Sequence, residues 1–560
     1  MAQSPSLTFM PLGGVREIGM NLALYGYGSG RNRRYLMVDC GVSFAGPDLP
    51  GIDIITPDIS YIAERRDKLD GILITHAHED HIGALLSLWP QLQAPVYMTA
   101  FAQNLLEAKN PSVAELTVMP VERFEPRVPF TIGEFSITAV PVSHSIPESN
   151  ALLIEVGDRR IVHTGDWKLD AEPVIGEPTQ LSDFHAFRDA GPVDAVISDS
   201  TNAMRDGQSP TEAEVGKALA KVIADAEQRV CVTLFSSNMA RIKSILDAAR
   251  EAGRTVVLAG RALQRVIGVG VEMGLLTDLP DIEDMRSFDR VARSKTLVLL
   301  TGSQGEERAA LSRVAEHDHP HLSLTRGDTV IFSSRIIPGN ERGVLRIMNK
   351  LAATGINLIT DADAPIHVSG HPRRGELVHL YSALKPTTVV PVHGEARHLD
   401  AHAELAKEHG YGAVIINDGD VLEIRSNGCD IVDGIEPGIY VKDGNLITPP
   451  ADSGVYERRT LAETGVITIA LGLSGSGKLV SDIEVIVDGL PDQLDGEDAD
   501  SYVLDATSTA LRALPMPRRR DVDAVSESLR KSVRSAVREV WGKRPVVHVH
   551  ALLIDKDATS

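Results

Sequence analysis

Cysteine is scarce in this chain. Only Cys40, Cys231 and Cys429 occur in 560 residues, spaced too widely for a disulfide framework or a zinc knuckle. No run of eighteen or more apolar residues is present to span a bilayer, and MAQSPSLTFMPLGG at the N-terminus has no basic segment leading into an apolar core. These absences predict a chain that does not enter a membrane and works in a reducing cytoplasm. Positive charge is also in deficit: the formal net charge is -21, which argues against bulk attraction to a polyanion and confines any such binding to local clusters. The clusters are RALQR (261–265), PRRGE (372–376), PRRRD (517–521) and KSVRSAVREVWGKR (531–544), each readable by itself as a solvated face.

What is present implies several domains, because 560 residues exceed what one hydrophobic core organises. The first 200 residues alternate short strand-like runs (RYLMVDCG, GILIT, APVYMT, FSITAVPV, ALLIEVG, RIVHTGD, VDAVISD) with turn signals and a few helical patterns such as HIGALLSLWPQL. From about 210 to 355 the rhythm becomes helix–strand (TEAEVGKALAKVIADAEQ, RVCVTLF, NMARIKSILDAAREAG, RTVVLAG, KTLVLLTG, DTVIFSS), which predicts a parallel, doubly wound insert. Strand-like runs return at 366–417, and a last α/β unit starts near 462. The fold class is α/β, divided as 1–208 (core, first part), 209–357 (insert), 358–450 (core, return), 451–462 (linker) and 463–560 (C-terminal domain).

The densest chemistry lies in GILITHAHEDHIGAL (71–85), where three histidines and two acids occupy six positions after an apolar strand. In an H-x-H-x-D-H run, His76 and His78 can face one side of a tight loop while Asp80 and His81 face a neighbouring position, so one loop can feed two metals. Imidazole and carboxylate suit zinc or manganese. Further ligands should come from other strand ends, and His144 (PVSHSIPES), Asp166 (HTGDWK) and His393 (VVPVHGE) each follow an apolar run. One ion would take His76, His78, His144 and Asp166; the other Asp80, His81, Asp166 and His393, with Asp166 bridging. Asp39 in MVDCG stands where it could accept the free N–H of a ligand histidine, although a simple turn aspartate fits equally well.

With these residues in place the chain resembles the metallo-β-lactamase superfamily. Asp199 in ISDST, His371 in HVSGH and the VHGE around His393 look like the successive motifs of its β-CASP branch, which acts on nucleic acids. GGVREIGMN (13–21), GSQGE (302–306), HVSGHPRRGEL (367–377) and PVHGEARH (391–398) narrow the likeness to bacterial ribonuclease J. The resemblance implies a metallo-β-lactamase αββα sandwich interrupted by a β-CASP insert, with a small C-terminal α/β domain that supports dimerisation. It implies two divalent ions per subunit (zinc or manganese, with magnesium compatible), and single-stranded RNA as substrate in RNA maturation and decay. Cleavage from a 5′-monophosphate end and internally, a homodimer or homotetramer, and membership of an RNA-degradation complex are implied as well. His371 would act as general acid, Asp199 would orient it, and Asp80 belongs with the reacting groups as well as the ligands. A pocket for the 5′-phosphate would draw on Ser236, Ser237, Asn238, Ser334, Arg335, His367, Ser369 and Gly370, although SSN can equally cap a helix. A basic channel would be lined by Arg241, Arg261, Arg335, Arg373 and Arg374. Arg16 and Trp167 depart from the family pattern, in which a small residue and a smaller aromatic are expected.

Three motifs read as decoys. GLSGSGK (472–478) has phosphate-loop spacing, but Leu479 replaces the magnesium-binding hydroxyl and the surroundings predict a hairpin turn. HDHPH (317–321) reads as an exposed loop, and HVH (548–550) as one face of a strand. Two other functions remain open from sequence: a two-metal hydrolase of small esters, and a catalytically silent RNA-binding scaffold.

Overall fold

The structure, a computed structural model, describes residues 4–337 and 339–554. They form two compact units, one comprising the described residues up to Ser43 with Thr56–Ile439, the other Phe44–Ile55 with the residues from Tyr440 onward.

The first unit is built on two facing sheets. Strands Ser6–Gly13, Leu22–Gly28, Arg34–Val38 and Leu69–Leu73 lie side by side at the centre of an eight-stranded sheet, and Phe135–Pro141, Asn150–Val156, Arg159–His163, Ala195–Asp199 and Thr388–Val392 run through a seven-stranded one. Alternating apolar residues close the space between them: Phe9, Tyr25, Leu36 and Leu73 from one side and Ile137, Ile154, Ile161, Ile197 and Val390 from the other are buried together. Behind the second sheet pack helices Leu181–Ala190, Arg374–Leu384 and Ala396–Glu408, whose Phe184, Phe187, Leu380, Tyr381 and Leu405 share a second apolar cluster.

The insert is a six-stranded parallel sheet ordered Ile282–Glu283, Thr255–Ala259, Thr296–Leu300, Val230–Thr233, Thr329–Phe332, Asn357–Ile359. Its VCVT, TLVLL and TVIF strands are buried throughout, as a parallel sheet covered on both faces requires. Helix Glu212–Asp225 starts on a Thr211/Glu214 capping box and Met239–Glu251 on Asn238, whose side chain accepts from the Arg241 amide. Between these helices lies an ion pair that the sequence placed elsewhere. Arg241, expected in a basic channel, is wholly buried; its Nε meets Glu212 Oε1 at 2.5 Å and its Nη1 donates to Ser333 Oγ at 2.7 Å and to the Ile366 carbonyl at 3.0 Å. A run of helix residues around an N-cap gave no sign that this arginine turns inward.

In the second unit, Val466–Leu473 pairs antiparallel with Glu484–Asp488 and parallel with Val546–Leu553. Val525, Leu529, Val533 and Val537, one per turn of helix Val522–Trp541, seal it against Ile467, Ile469, Val547 and Val549. The expected linker 451–462 carries most of a helix, Val455–Thr464, whose Val455 packs with Ile52 and Val441. GLSGSGK forms a turn between paired strands, with Ser474 N donating to the Lys478 carbonyl. HDHPH is largely exposed loop, and both histidines of HVH face outward from the last strand. Among the described residues no helix is long and apolar enough to cross a membrane.

Candidate functional site

Strand ends of the two central sheets bring the site together. The strand Leu69–Leu73 delivers the loop with His76 and His78, and Asp80 and His81 follow in the short helix Glu79–Ile82. His144 follows Phe135–Pro141, Asp166 follows Arg159–His163, Asp199 ends its strand, and His393 follows Thr388–Val392 at φ 53°. Among the described residues three groups result, His76–His78–His144–Asp166, Asp80–His81–Asp166–His393 and Asp199–His371–His393, each with its donor atoms within 4.8 Å of one another; the first two share Asp166. Asp166 Oδ2 is common to these two: it lies 3.7 Å from His76 Nε2, 3.5 Å from His144 Nε2, 3.3 Å from His81 Nε2 and 3.5 Å from His393 Nε2.

The outer nitrogens of the imidazoles are anchored by acceptors, which decides where the inner lone pairs point. His144 Nδ1–H donates to the Gly370 carbonyl at 2.8 Å and His81 Nδ1–H to Asp39 Oδ2 at 2.7 Å. His393 Nδ1–H donates to Asn21 Oδ1 at 3.0 Å, an orientation fixed because Asn21 Nδ2 must donate to the Asp80 carbonyl. Thr75 Oγ1 donates to Asp39 and so receives His76 Nδ1–H. His78 turns Nε2 toward Ser145 Oγ. The inward nitrogens therefore converge as bare acceptors: His78 Nδ1 is 3.1 Å from both His76 Nε2 and His144 Nε2. A tetrahedral ion with Zn–N bonds of about 2.0–2.1 Å sets its ligand nitrogens about 3.3–3.4 Å apart. Among the described residues buried Asp166 Oδ1 and His393 Nε2 have no hydrogen-bond partner, and a cavity of about 30 Å³ opens beside Asn21, His81, Asp166 and His393. This donor set can hold divalent cations.

Charge agrees with that fit. Burial pushes His76 and His144 well down, and His78 down to about 4, which keeps them neutral as ligands must be. Burial also opposes a charge on His81, but Asp166, Asp80 and Asp39 outweigh it and favour a proton where a cation can stand. Asp39 is the anchoring carboxylate the sequence left undecided: besides His81 it accepts the Thr75 amide at 2.8 Å.

Beside the donors stands His371. Its Nδ1 is 2.7 Å from Asp199 Oδ2 and 3.8 Å from Asp166 Oδ2. Burial opposes its charge, yet Asp199 and then Asp166 raise its pKa to about 9. Asp199 Oδ1 accepts the Thr201 amide, and Asn202 Nδ2 donates to Ser369 Oγ and the His371 carbonyl, which braces the loop. Glu376, fully buried, binds Ser209 N and Oγ, Leu169 N and Arg373 N, tying the loop's end to the core.

The residues grouped for a phosphate divide. Ser334, Arg335 and His367 gather past the carboxyl ends of the insert's strands, linked by Ser333 Oγ donating to the Ile366 carbonyl. His367 is mostly buried, its Nδ1 has no hydrogen-bond partner among the described residues, and burial followed by the cations Arg241, Arg335, Lys168 and Arg205 holds it neutral, down to about 3. Ser236 and Ser237 are half-buried before helix Met239–Glu251. Asn238, Ser369 and Gly370 have structural tasks: Asn238 caps that helix, Ser369 accepts from Asn202 and from His371 N, and Gly370 orients His144. Of the arginines grouped for a channel, Arg261 and Arg335 are exposed, Arg373 is half-buried, and Arg374 pairs with Glu408. Arg205, which the sequence reading passed over, is exposed in the field of Arg335 and Arg373. Asn21, Thr75, Asn202, Arg205 and Glu376 had no distinguishing spacing: Glu376 accepts the Arg373 amide at the start of its helix, but arginine at the cap carries no capping-box signature. Arg16 lies at φ 65°, which is why a small residue is expected there, and Trp167 is fully buried.

Gly370 allows a test of the anchoring. A Cβ there would sit 2.5 Å from His144 Nδ1, so Gly370→Ala must displace the ring or its carbonyl. Metal affinity at the His76–His78–His144 group is expected to fall about 10- to 100-fold, read by titration with a chelator. Unchanged affinity would remove Gly370 from this role.

Comparison with known proteins finds four matched stretches of the chain. The description "Beta-lactamase superfamily domain" matches residues 34–232, "Ribonuclease J, beta-CASP domain" 227–351, "Zn-dependent metallo-hydrolase RNA specificity domain" 364–416 and "Ribonuclease J C-terminal domain" 454–554. Ribonuclease J of Sinorhizobium meliloti is 45% identical over 551 residues, 98% of each chain. That of Mycolicibacterium smegmatis is 36% identical, covering 96% of this chain and 95% of its own. A crystal structure of a protein of unknown function from Enterococcus faecalis shares the fold, with a TM-score of 0.51 at 16% identity over 75% of this chain and 100% of that one.

Proposed function

The chain belongs to the ribonuclease J family of metal-dependent nucleases, and from that membership we propose that it hydrolyses RNA with two divalent ions, from the 5′-monophosphate end and internally. The observation that carries the two-ion reading is Asp166 Oδ2, within 3.7 Å of imidazoles from both ligand groups. Bound ions would supply positive charge that acidifies a water and neutralises the scissile phosphate. His76, His78 and His144 would hold one, Asp80, His81 and His393 the other, and Asp166 both.

The protein's own part is orientation and proton transfer. As water attacks phosphorus the bond to O3′ breaks, and His371 would give that oxygen a proton, leaving a 3′-hydroxyl on one fragment and a 5′-phosphate on the other. Asp199 keeps His371 protonated at neutral pH and fixes its ring. His367, Ser334, Arg335, Ser236 and Ser237 would receive the terminal phosphate, with Arg205 added to their charge; Asn238, Ser369 and Gly370 would shape this pocket through the contacts they already make. Arg335, Arg373 and Arg205 would begin the RNA path.

A cytoplasmic location is supported by three free, buried cysteines. The exposed apolar Ile486, Leu552 and Leu553 of the C-terminal unit support a homodimer or a homotetramer built from it, and a place in an RNA-degradation complex is compatible with this reading.

The test is one single-stranded RNA, internally labelled, carrying a 5′-monophosphate or a 5′-triphosphate, incubated with the protein and Mn²⁺, Mg²⁺ or Zn²⁺. Conversion of the monophosphate form to mononucleotides at least about tenfold faster is expected, since the pocket's contacts to the end would be lost on a bulkier triphosphate. Internal fragments alone would remove the 5′-end pocket. No cleavage with any metal would favour the silent scaffold.

A further inference from the structure

The basic stretch 531–544 is a solvated helix face for only part of its length. On helix Val522–Trp541, Lys531, Arg534, Ser535 and Arg538 succeed one another at i, i+3, i+4 and i+7, beside the buried Val533 and Val537. They form one wall of a cleft of about 430 Å³, closed by Arg544, Pro545 and Val546 at the start of the last strand and by Thr460 from helix Val455–Thr464. That volume lies in the range of ligand sites.

The cleft's charge is poorly compensated. Lys531 shares Glu527 with Arg530. Among the described residues Arg534 donates only through its Nε, to the Pro545 carbonyl at 3.2 Å, leaving both terminal amino groups available. Among the described residues Arg538 and Arg544 have no carboxylate within ion-pair distance, so the cleft concentrates unneutralised positive charge in a chain of net charge -21. Like charges collected in a concavity repel one another and focus the field on an anion. The lining carries no aromatic ring on which a base could stack, and Trp541 nearby is covered by Lys543. Such a site recognises backbone charge rather than sequence.

We propose that this cleft of the C-terminal unit is a second binding site for single-stranded RNA, gripping the phosphodiester backbone through Arg534, Arg538 and Arg544. It rests on the reading of RNA as substrate, and gives a strongly acidic protein a hold on long substrates independent of the chemistry.

The full-length protein is compared with Arg538→Ala/Arg544→Ala and with Arg538→Lys/Arg544→Lys. Binding of a 30-nucleotide and a 4-nucleotide RNA is followed by fluorescence anisotropy in EDTA across a salt series, and cleavage of both in metal is measured in parallel. The alanine pair is expected to weaken binding of the long RNA about tenfold and to make its log–log salt slope shallower by about 1.4, as for two lost single-strand phosphate contacts. KM for the long RNA should rise with kcat unchanged, the short RNA should be unaffected, and the lysine pair should stay near wild type. An unchanged slope in the alanine pair, an equal loss on the short RNA, or a lysine pair as weak as the alanine pair would each overturn the proposal. So would polyglutamate competing as well as RNA, which would make the cleft a dock for an acidic protein. Failure of the wild type to cleave any RNA would count against the proposed function, while the binding slopes would still decide the cleft.

Discussion

Asp166→Asn is expected to lower kcat for RNA hydrolysis by about ten-thousand-fold, equivalent to ~5–6 kcal/mol of barrier. The substitution preserves shape and removes the one carboxylate oxygen that both donor groups share. Against burial, His393, His81 and His371 hold its pKa well below the usual carboxylate range and so keep it charged; its loss deprives those imidazoles of their common counter-charge. Metal retained after dialysis, measured by elemental analysis, should fall from two ions per chain to one or none. His81→Ala should abolish hydrolysis too while leaving the chain folded, because Asp39 still accepts the Thr75 amide and hydroxyl. A well-folded Asp166→Asn protein retaining more than a tenth of wild-type hydrolysis would defeat the two-ion assignment.

Glu212→Ala is expected to destabilise the first unit by about 3–5 kcal/mol, because it leaves the Arg241 guanidinium buried without its counter-charge. Urea unfolding followed by circular dichroism should show an earlier midpoint. The double replacement Glu212→Leu/Arg241→Met should recover most of the loss, since removing both charges abolishes the desolvation cost as well as the attraction. Activity should fall further than stability, for Arg241 also holds the Ile366 carbonyl at the root of the loop that ends in His371. Unfolding of Glu212→Ala at the wild-type midpoint would show that the pair is not buried in solution.

The decoys show why residue order alone can mislead. GLSGSGK meets the spacing of a phosphate loop, yet strand follows strand there and no helix N-terminus is available to face an anion. KSVRSAVREVWGKR, by contrast, reads as an ordinary charged face, and only the packing of Val533 and Val537 turns its arginines toward Arg544.

The sequence by itself determined the α/β class, the parallel insert and which histidines and aspartates gather at the strand ends, because each depends on short-range pattern: buried strands are largely apolar, and His76, His78, Asp80, His81, His144, Asp166 and His393 come after such runs. The tertiary structure alone decided what holds those side chains in place. The carbonyl of Gly370 fixes a histidine 226 positions away, and Asn21 reaches His393 across 372. It also drew Arg241 inward to Glu212. A hydrogen bond to a backbone carbonyl leaves no trace in residue type, and whether an arginine turns to solvent or to a buried partner depends on what the rest of the chain folds against it.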